Sequence, residues 1–164
     1  MVNKTSISAV RALLFLAQQD ASYCASPRRL AESLDESPTY LAKVVRHLVR
    51  SGILEAEKGV KGGVRLIRKP ADITLLAIVE SCQGVVVGDF CRGKRPEPAI
   101  CSFHRAALEL HNAITSVLGR WTLGQLLEKP GASGSPSAGI PCLIGFGAKA
   151  PLASHLSKQR QAVL

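Results

Sequence analysis

Thr39, Lys43, Arg46 and Arg50 recur at i, i+4, i+7 and i+11, so on a helix they share one face. Guanidinium and ammonium groups spaced in this way can hold phosphate oxygens or the acceptor edge of guanine, and Thr39 and Tyr40 at the helix start can touch phosphates or bases. Leu41, Val44, Val45, Leu48 and Val49 occupy the opposite side of the same segment at i, i+3, i+4, i+7 and i+8. One flank is therefore expected to be buried and the other cationic, as insertion into a major groove requires. Further along, Lys58-Gly-Val-Lys-Gly-Gly63 sets two ammonium groups among three glycines, a tip at which backbone could approach a minor groove.

The remaining chemistry lies in five cysteines, Cys24, Cys82, Cys91, Cys101 and Cys142. Their odd number, in a chain whose start lacks a secretory cleavage site, points to free thiols or metal ligands rather than disulfides. Arg92, Lys94 and Arg95 follow Cys91, and cations favour the thiolate, so Cys91 is the candidate for a redox-active thiol. Zinc accepts mixed Cys and His sets, but the nine residues between Cys91 and Cys101 are unlike the short spacing of a finger. Cys24 and Cys82 read as small buried hydrophobes. His47 lies beside the cationic stripe, and Cys142 falls in the tail.

The elements that must position these groups can be read in order. Residues 6 to 19 form a first helix with a broad apolar face that Arg11 interrupts. Ser26-Pro27 starts a second, with serine as N-cap and proline at the first helical position, and Leu30 and Leu34 as its apolar pair. Asp35-Glu36 is the turn. Ser37-Pro38 repeats the start signal for a third helix running to about Arg50 and stopped by Gly52. Residues 53 to 56 and 64 to 67 then change to strand period around the glycine-rich turn, a two-stranded wing. Thr74 caps a fourth helix that ends near Gly84, and residues 85 to 100, with Pro96 and Pro98, are a loop. A long helix over 102 to 120 aligns Phe103, Ala107, Leu110, Ile114, Val117 and Leu118, and extends about 28 Å at 1.5 Å per residue. That length exceeds what so small a core can cover, which calls for a partner subunit. Trp121 is expected to pack the end of this helix, and a last short helix ends near Lys129. From Pro130 the Gly-, Pro- and Ser-rich text lacks a sustained period and reads as a flexible tail.

Composition agrees with this outline. The chain has 164 residues, of which 46% are hydrophobic and only 4% aromatic, so an aliphatic, helix-rich single core is expected. A formal charge of +9 favours an anionic partner. The excess is concentrated in the motif, since ten basic residues face five acidic ones between Ser26 and Pro70. No apolar run of about 18 residues occurs, so no membrane span and a cytoplasmic location are expected.

Ser37-Pro-Thr-Tyr-Leu-Ala-Lys43, Leu48-Val-Arg-Ser-Gly-Ile-Leu54, Lys58-Gly-Val-Lys-Gly-Gly-Val-Arg-Leu66 and Ile73-Thr-Leu75, with the opening Ala9-Val-Arg-Ala-Leu-Leu-Phe-Leu-Ala17, closely resemble the Rrf-two family of winged helix-turn-helix transcription regulators. The resemblance covers about residues 5 to 128. It implies a homodimer joined through the long helix, bound to an imperfect palindrome in double-stranded DNA, usually as a repressor and sometimes as an activator. The wing departs modestly from the family pattern, with Lys58 in place of a frequent Arg and Val60-Lys61 in place of Pro-Gly.

Many relatives carry an iron-sulfur cluster on three cysteines of the loop before the long helix, completed in some by a histidine or a carboxylate. By that resemblance Cys91 matches the first cysteine, Cys101 the last and His104 the histidine that follows it. The middle cysteine is missing, because Arg92 to Ile100 contain none, and Ile7 stands where some members place a ligating acid. The implied metal site is thus Cys91, Cys101 and His104, holding a two-iron two-sulfur cluster with a further ligand from Cys82, His111 or the other subunit. The rival is a cluster-free regulator controlled by a thiol switch or a partner.

The expected architecture is mainly α with a small β wing. It comprises a winged helix-turn-helix domain over 1–84, a sensor loop over 85–101, a dimerisation helix and short last helix over 102–129, and a tail over 130–164. The expected DNA contacts are Arg28, Ser37, Thr39, Tyr40, Lys43, Arg46, Lys58, Gly59, Lys61, Gly62 and Gly63. A small metal-dependent hydrolase on Cys91, Cys101 and His104 is the enzymatic alternative, but no phosphate-binding loop, paired acid–base residues or Ser-His-Asp order supports it. A protein-interaction module that has lost DNA binding is the other alternative, distinguishable by a flat response to salt.

Overall fold

Helix α1 (Lys4–Ala17) begins two residues before its expected start, because the Asn3 side chain accepts a hydrogen bond from the Ser6 amide at 2.9 Å and caps the helix. The structure is a computed structural model that describes residues 2–59, 62–86 and 101–128. The further elements are α2 (Pro27–Leu34), α3 (Pro38–Arg50), β1 (Leu54–Glu57), β2 (Gly63–Leu66), a 3-10 turn at Pro70–Asp72, α4 (Leu75–Gln83), α5 (Ser102–Arg120) and α6 (Leu123–Glu128). The fold is mainly helical with a two-stranded antiparallel sheet. Among the described residues no helix is long and apolar enough to cross a membrane.

The core forms where the broad face of α1 meets α2, α3 and α4. Ala9, Ala12 and Leu13 of α1, Leu30 of α2, Leu41, Val44 and Leu48 of α3, Ile73 and Ile78 are fully buried in one cluster. Each large aliphatic side chain so covered contributes about 1.5–3 kcal/mol. The small alanines let the helix backbones approach. Thr74 caps α4 as expected, accepting from the Ala77 amide at 3.1 Å.

Two backbone connections that local pattern does not announce close this core. Ala25, just before α2, pairs with β2: its amide donates to the Val64 carbonyl at 3.1 Å and its carbonyl accepts from the Val64 amide at 2.9 Å. The wing is thereby tied to the start of the helix-turn-helix. At the other end, the Leu75 amide donates to the Trp121 carbonyl at 2.9 Å and the Leu123 amide to the Ile73 carbonyl at 2.8 Å. Leu123 is fully buried in the same cluster as α1, so α6 returns to the core. Trp121, expected to pack the end of the long helix, is instead exposed and acts through its carbonyl.

Helix α5 stands apart from that core and has no buried residue. The apolar stripe expected along it is divided. Ala107, Ile114 and Leu118 are half-covered on the helix that contacts α4, whereas Phe103, Leu110 and Val117 are exposed to 71%, 54% and 49%.

Candidate nucleic-acid interface

The recognition motif is assembled by local bonds. The Ser26 hydroxyl accepts from the Arg29 amide at 3.2 Å with Pro27 in the first turn, so α2 starts as its sequence predicts. Asp35 adopts φ 55°, the left-handed conformation that Asp tolerates, and ends α2 in a tight turn. Ser37 then holds the N-cap position of α3 but makes no side-chain cap bond. Its hydroxyl and the first amides of α3 remain available at the positive end of the helix dipole, where a phosphate is favoured.

Leu41, Val44, Val45 and Leu48 anchor α3 by its buried face. Thr39, Lys43, Arg46 and Arg50 are exposed on the other, and among the described residues Lys43 and Arg46 form no ion pair. Their charge is therefore unspent. Arg28 is exposed and pairs with Glu32 at 3.1 Å, a contact between mobile surface groups that a phosphate can displace. Tyr40 has a packing role the sequence did not suggest. It is half-buried against α1, its hydroxyl donating to Thr5 Oγ1 at 3.4 Å and its ring lying 5.4 Å from Lys4 Nζ.

Beside α3 lies the wing, with a shallow open groove between them lined by Ala42, Val45, Arg46 and Val49 on one side and Ala56, Glu57 and Gly62–Val64 on the other. Register pairs Glu55 with Arg65 and Glu57 with Gly63. On the wing's outer face Arg65 donates from Nη2 to Glu55 Oε2 at 2.7 Å and from Nε to Glu57 Oε1 at 2.6 Å. Of the ten basic residues in the motif, Arg65 is thus occupied by the wing's own acids. Lys58 and Gly59 are exposed, and Gly59 has φ +123°, which L side chains rarely adopt. The Gly62 amide donates to the Gly59 carbonyl at 2.9 Å and closes the turn. Gly63 serves an internal purpose, because it passes directly over Ala25. Lys61 lies outside the described residues.

Three groups near the wing are electrostatically displaced, among them Arg65, held above its ordinary value first by its bond to Glu57. Glu57 is held below the usual carboxylate range, first by Arg65 and then by the Cys24 thiol. The Cys24 thiol is pushed up by desolvation and then by the neighbouring Glu57 carboxylate.

Of the expected metal ligands, Cys101 caps α5, its Sγ accepting from the His104 amide at 3.4 Å, and Cys91 lies outside the described residues. Among the described residues no group of three or more His, Cys, Asp or Glu side chains converges as a metal site. Of the three expected ligands, Cys101 and His104 thus stand at the cap and in the first turn of one helix.

Sequence reading missed Ser8, Arg11 and Glu36. Arg11 Nη1 reaches Glu36 Oε1 at 3.1 Å, Nη2 reaches the Leu34 carbonyl at 3.0 Å, and the Ser8 hydroxyl donates to the same Glu36 oxygen at 2.7 Å. A lone arginine inside the otherwise apolar run Ala9-Val-Arg-Ala-Leu was the available signal, since a charge on a buried face needs a partner.

A helix-turn-helix whose second helix exposes a cationic face next to a two-stranded wing defines a winged-helix DNA-binding regulator. A family model described as Rrf2, iron-dependent transcriptional regulator, matches residues 2–129. The chain belongs to the Rrf2 family of transcription regulators, which are not enzymes. It is 31% identical over 124 residues to the HTH-type transcriptional regulator NsrR of Geobacillus kaustophilus, covering 73% of this chain and 84% of that protein. It is also 36% identical over 76 residues to the putative HTH-type transcriptional regulator YwgB of Bacillus subtilis, covering 46% and 49%. Among solved structures, T. potens IscR shares the fold with a TM-score of 0.65 and 24% identity over 82% of this chain and 92% of that one. The B. subtilis global cysteine regulator CymR does so with a TM-score of 0.61 and 20% identity, over 78% and 96%.

Proposed function

We propose that this DNA-binding transcription regulator acts in the cytoplasm as a homodimeric repressor on a palindromic duplex. In this reading α3 enters the major groove with Thr39, Lys43 and Arg46, Ser37 and Arg28 hold phosphates beside it, and Tyr40 supports the helix start. Lys58, Gly59, Lys61, Gly62 and Gly63 carry the wing toward the minor groove. The supporting observation is the exposed Lys43 and Arg46, without an ion pair among the described residues, on a helix fixed by four buried aliphatic side chains. The test is a gel shift on the duplex that the protein itself enriches from a random library. Lys43→Glu with Arg46→Glu abolishes binding while circular dichroism stays native; unchanged affinity removes these residues from the interface. Repression rather than activation is tested by transcription in vitro from a promoter carrying that duplex.

Support for the homodimer comes from α5. Phe103, Leu110 and Val117 recur every seven residues with Ala106 and Ala113 between them, all exposed, which is the spacing of a two-helix seam. For sensing, the family description carries iron dependence, and Cys91, Cys101 and His104 are the proposed ligands of a two-iron two-sulfur cluster, with a further donor from elsewhere in the dimer. Anaerobic purification followed by absorption spectroscopy and iron and sulfide analysis tests this. A colourless, iron-free protein that still binds DNA selects the second reading, a thiol switch at Cys91, favoured by Arg92, Lys94 and Arg95 beside it in the sequence, whose charge stabilises a thiolate.

A further inference from the structure

The first turns of α1 are bonded across to both helices of the recognition motif. Arg11 holds the carbonyl of Leu34, the last residue of α2, and the carboxylate of Glu36, the residue just before the α3 cap. Ser8, itself buried, donates to that same Glu36 oxygen, and Thr5 and Lys4 meet Tyr40 in the first turn of α3. The Glu36 side chain is 10% exposed and that of Arg11 22%, so the pair is largely withdrawn from water. A pair so placed is often no more stabilising than apolar groups of the same volume; what it supplies is one defined geometry. Its bonding is also single-armed. Only Nη1 of Arg11 reaches Glu36, because Nη2 is taken by the Leu34 carbonyl.

We propose that Arg11 and Glu36, keyed by Ser8, are positioning residues for DNA recognition: they set the inclination of α3 to α1, and with it whether Lys43 and Arg46 reach base edges or phosphates only. The inference rests on the DNA-binding reading above. Base-edge contacts demand placement of a side chain against particular donors and acceptors, while phosphate attraction is long-ranged and tolerant. Disturbing the pair therefore lowers discrimination between sequences and leaves general DNA affinity in place.

The test compares wild type, Glu36→Gln, and the double variant Arg11→Met with Glu36→Leu, in the full chain at one salt concentration. The probes are the duplex enriched by the wild type and a scrambled duplex of equal length and composition. Their affinity ratio is read beside thermal melting, because a smaller folded fraction lowers both affinities alike and leaves the ratio unchanged. Glu36→Gln is expected to lose about tenfold in discrimination, equivalent to ~1.4 kcal/mol, with little change on the scrambled duplex. The apolar double variant is expected to recover melting temperature and not discrimination. A wild-type ratio in Glu36→Gln, or discrimination that returns together with stability in the double variant, overturns the positioning role and leaves DNA binding intact. A wild type that prefers neither duplex overturns the DNA-binding reading and this inference with it.

Discussion

Gly63 passes so close to Ala25 that a Cβ on it would lie 2.6 Å from both the carbonyl carbon and the carbonyl oxygen of Ala25. Backbone cannot yield as a flexible side chain does, so Gly63→Ala must push β2 away from the residue before α2 and strain the pairing of Val64 with Ala25. The expected cost is about 1–3 kcal/mol, the range for an intruding methyl in a close-packed site, read as a lower midpoint in urea denaturation. A wild-type midpoint would show that the wing is not held at this crossing.

Arg65 neutralises Glu55 and Glu57 on the outer face of the wing. Arg65→Ala is expected to weaken DNA binding although Arg65 is occupied within the protein, because it uncovers two carboxylates beside Lys58. The measurement is affinity across a salt series, with the largest deficit at low salt where repulsion is least screened. Equal affinity at every salt concentration would mean that the outer face lies away from the duplex.

The same arginine sets a pH dependence. The Glu57 carboxyl is depressed on folding, chiefly by Arg65, so its contribution is present above the unfolded value, near about 4.3 for glutamate, and is lost as pH falls through the lower folded value. An NMR titration of the Glu57 carboxyl should give a midpoint below the ordinary range in wild type and a return toward it in Arg65→Ala. Identical midpoints would separate the two groups in solution.

Cys24 and Cys82 should be slow thiols. Desolvation, followed by the Glu57 carboxylate, pushes Cys24 up, and burial pushes Cys82 up against a smaller opposing bond from Ser81. Since the thiolate is the nucleophile, both are expected to react with iodoacetamide near neutral pH more slowly than a cysteine in an unfolded peptide, as followed by mass spectrometry of digests. Fast alkylation of either would make it a candidate redox sensor in place of Cys91.

Leu110→Glu with Val117→Glu places charges on the exposed face of α5 proposed as the dimer seam, without touching a buried residue. Sedimentation velocity is expected to show monomers with native helical content. Operator affinity should fall by about a hundredfold or more, since two linked half-sites bind with the advantage of effective concentration. A variant that sediments like the wild type would move the subunit contact elsewhere.

What the sequence determined by itself was local. The two-faced spacing of α3, the Ser26-Pro27 start of α2, the Thr74 cap and the span Ser102–Arg120 were legible because helical periodicity and capping act between residues three or four apart. Only the tertiary structure decided how the charges of the motif are used. Arg65 is occupied by Glu55 and Glu57, Tyr40 is drawn onto α1, and Arg11 meets Glu36 across 25 positions of chain. Ala25 joins β2, and α6 returns to the core through Leu123, by backbone bonds between segments brought together only when the helices pack. A charged side chain announces that it needs a partner or water, but which one it receives depends on the surface that folding delivers to it.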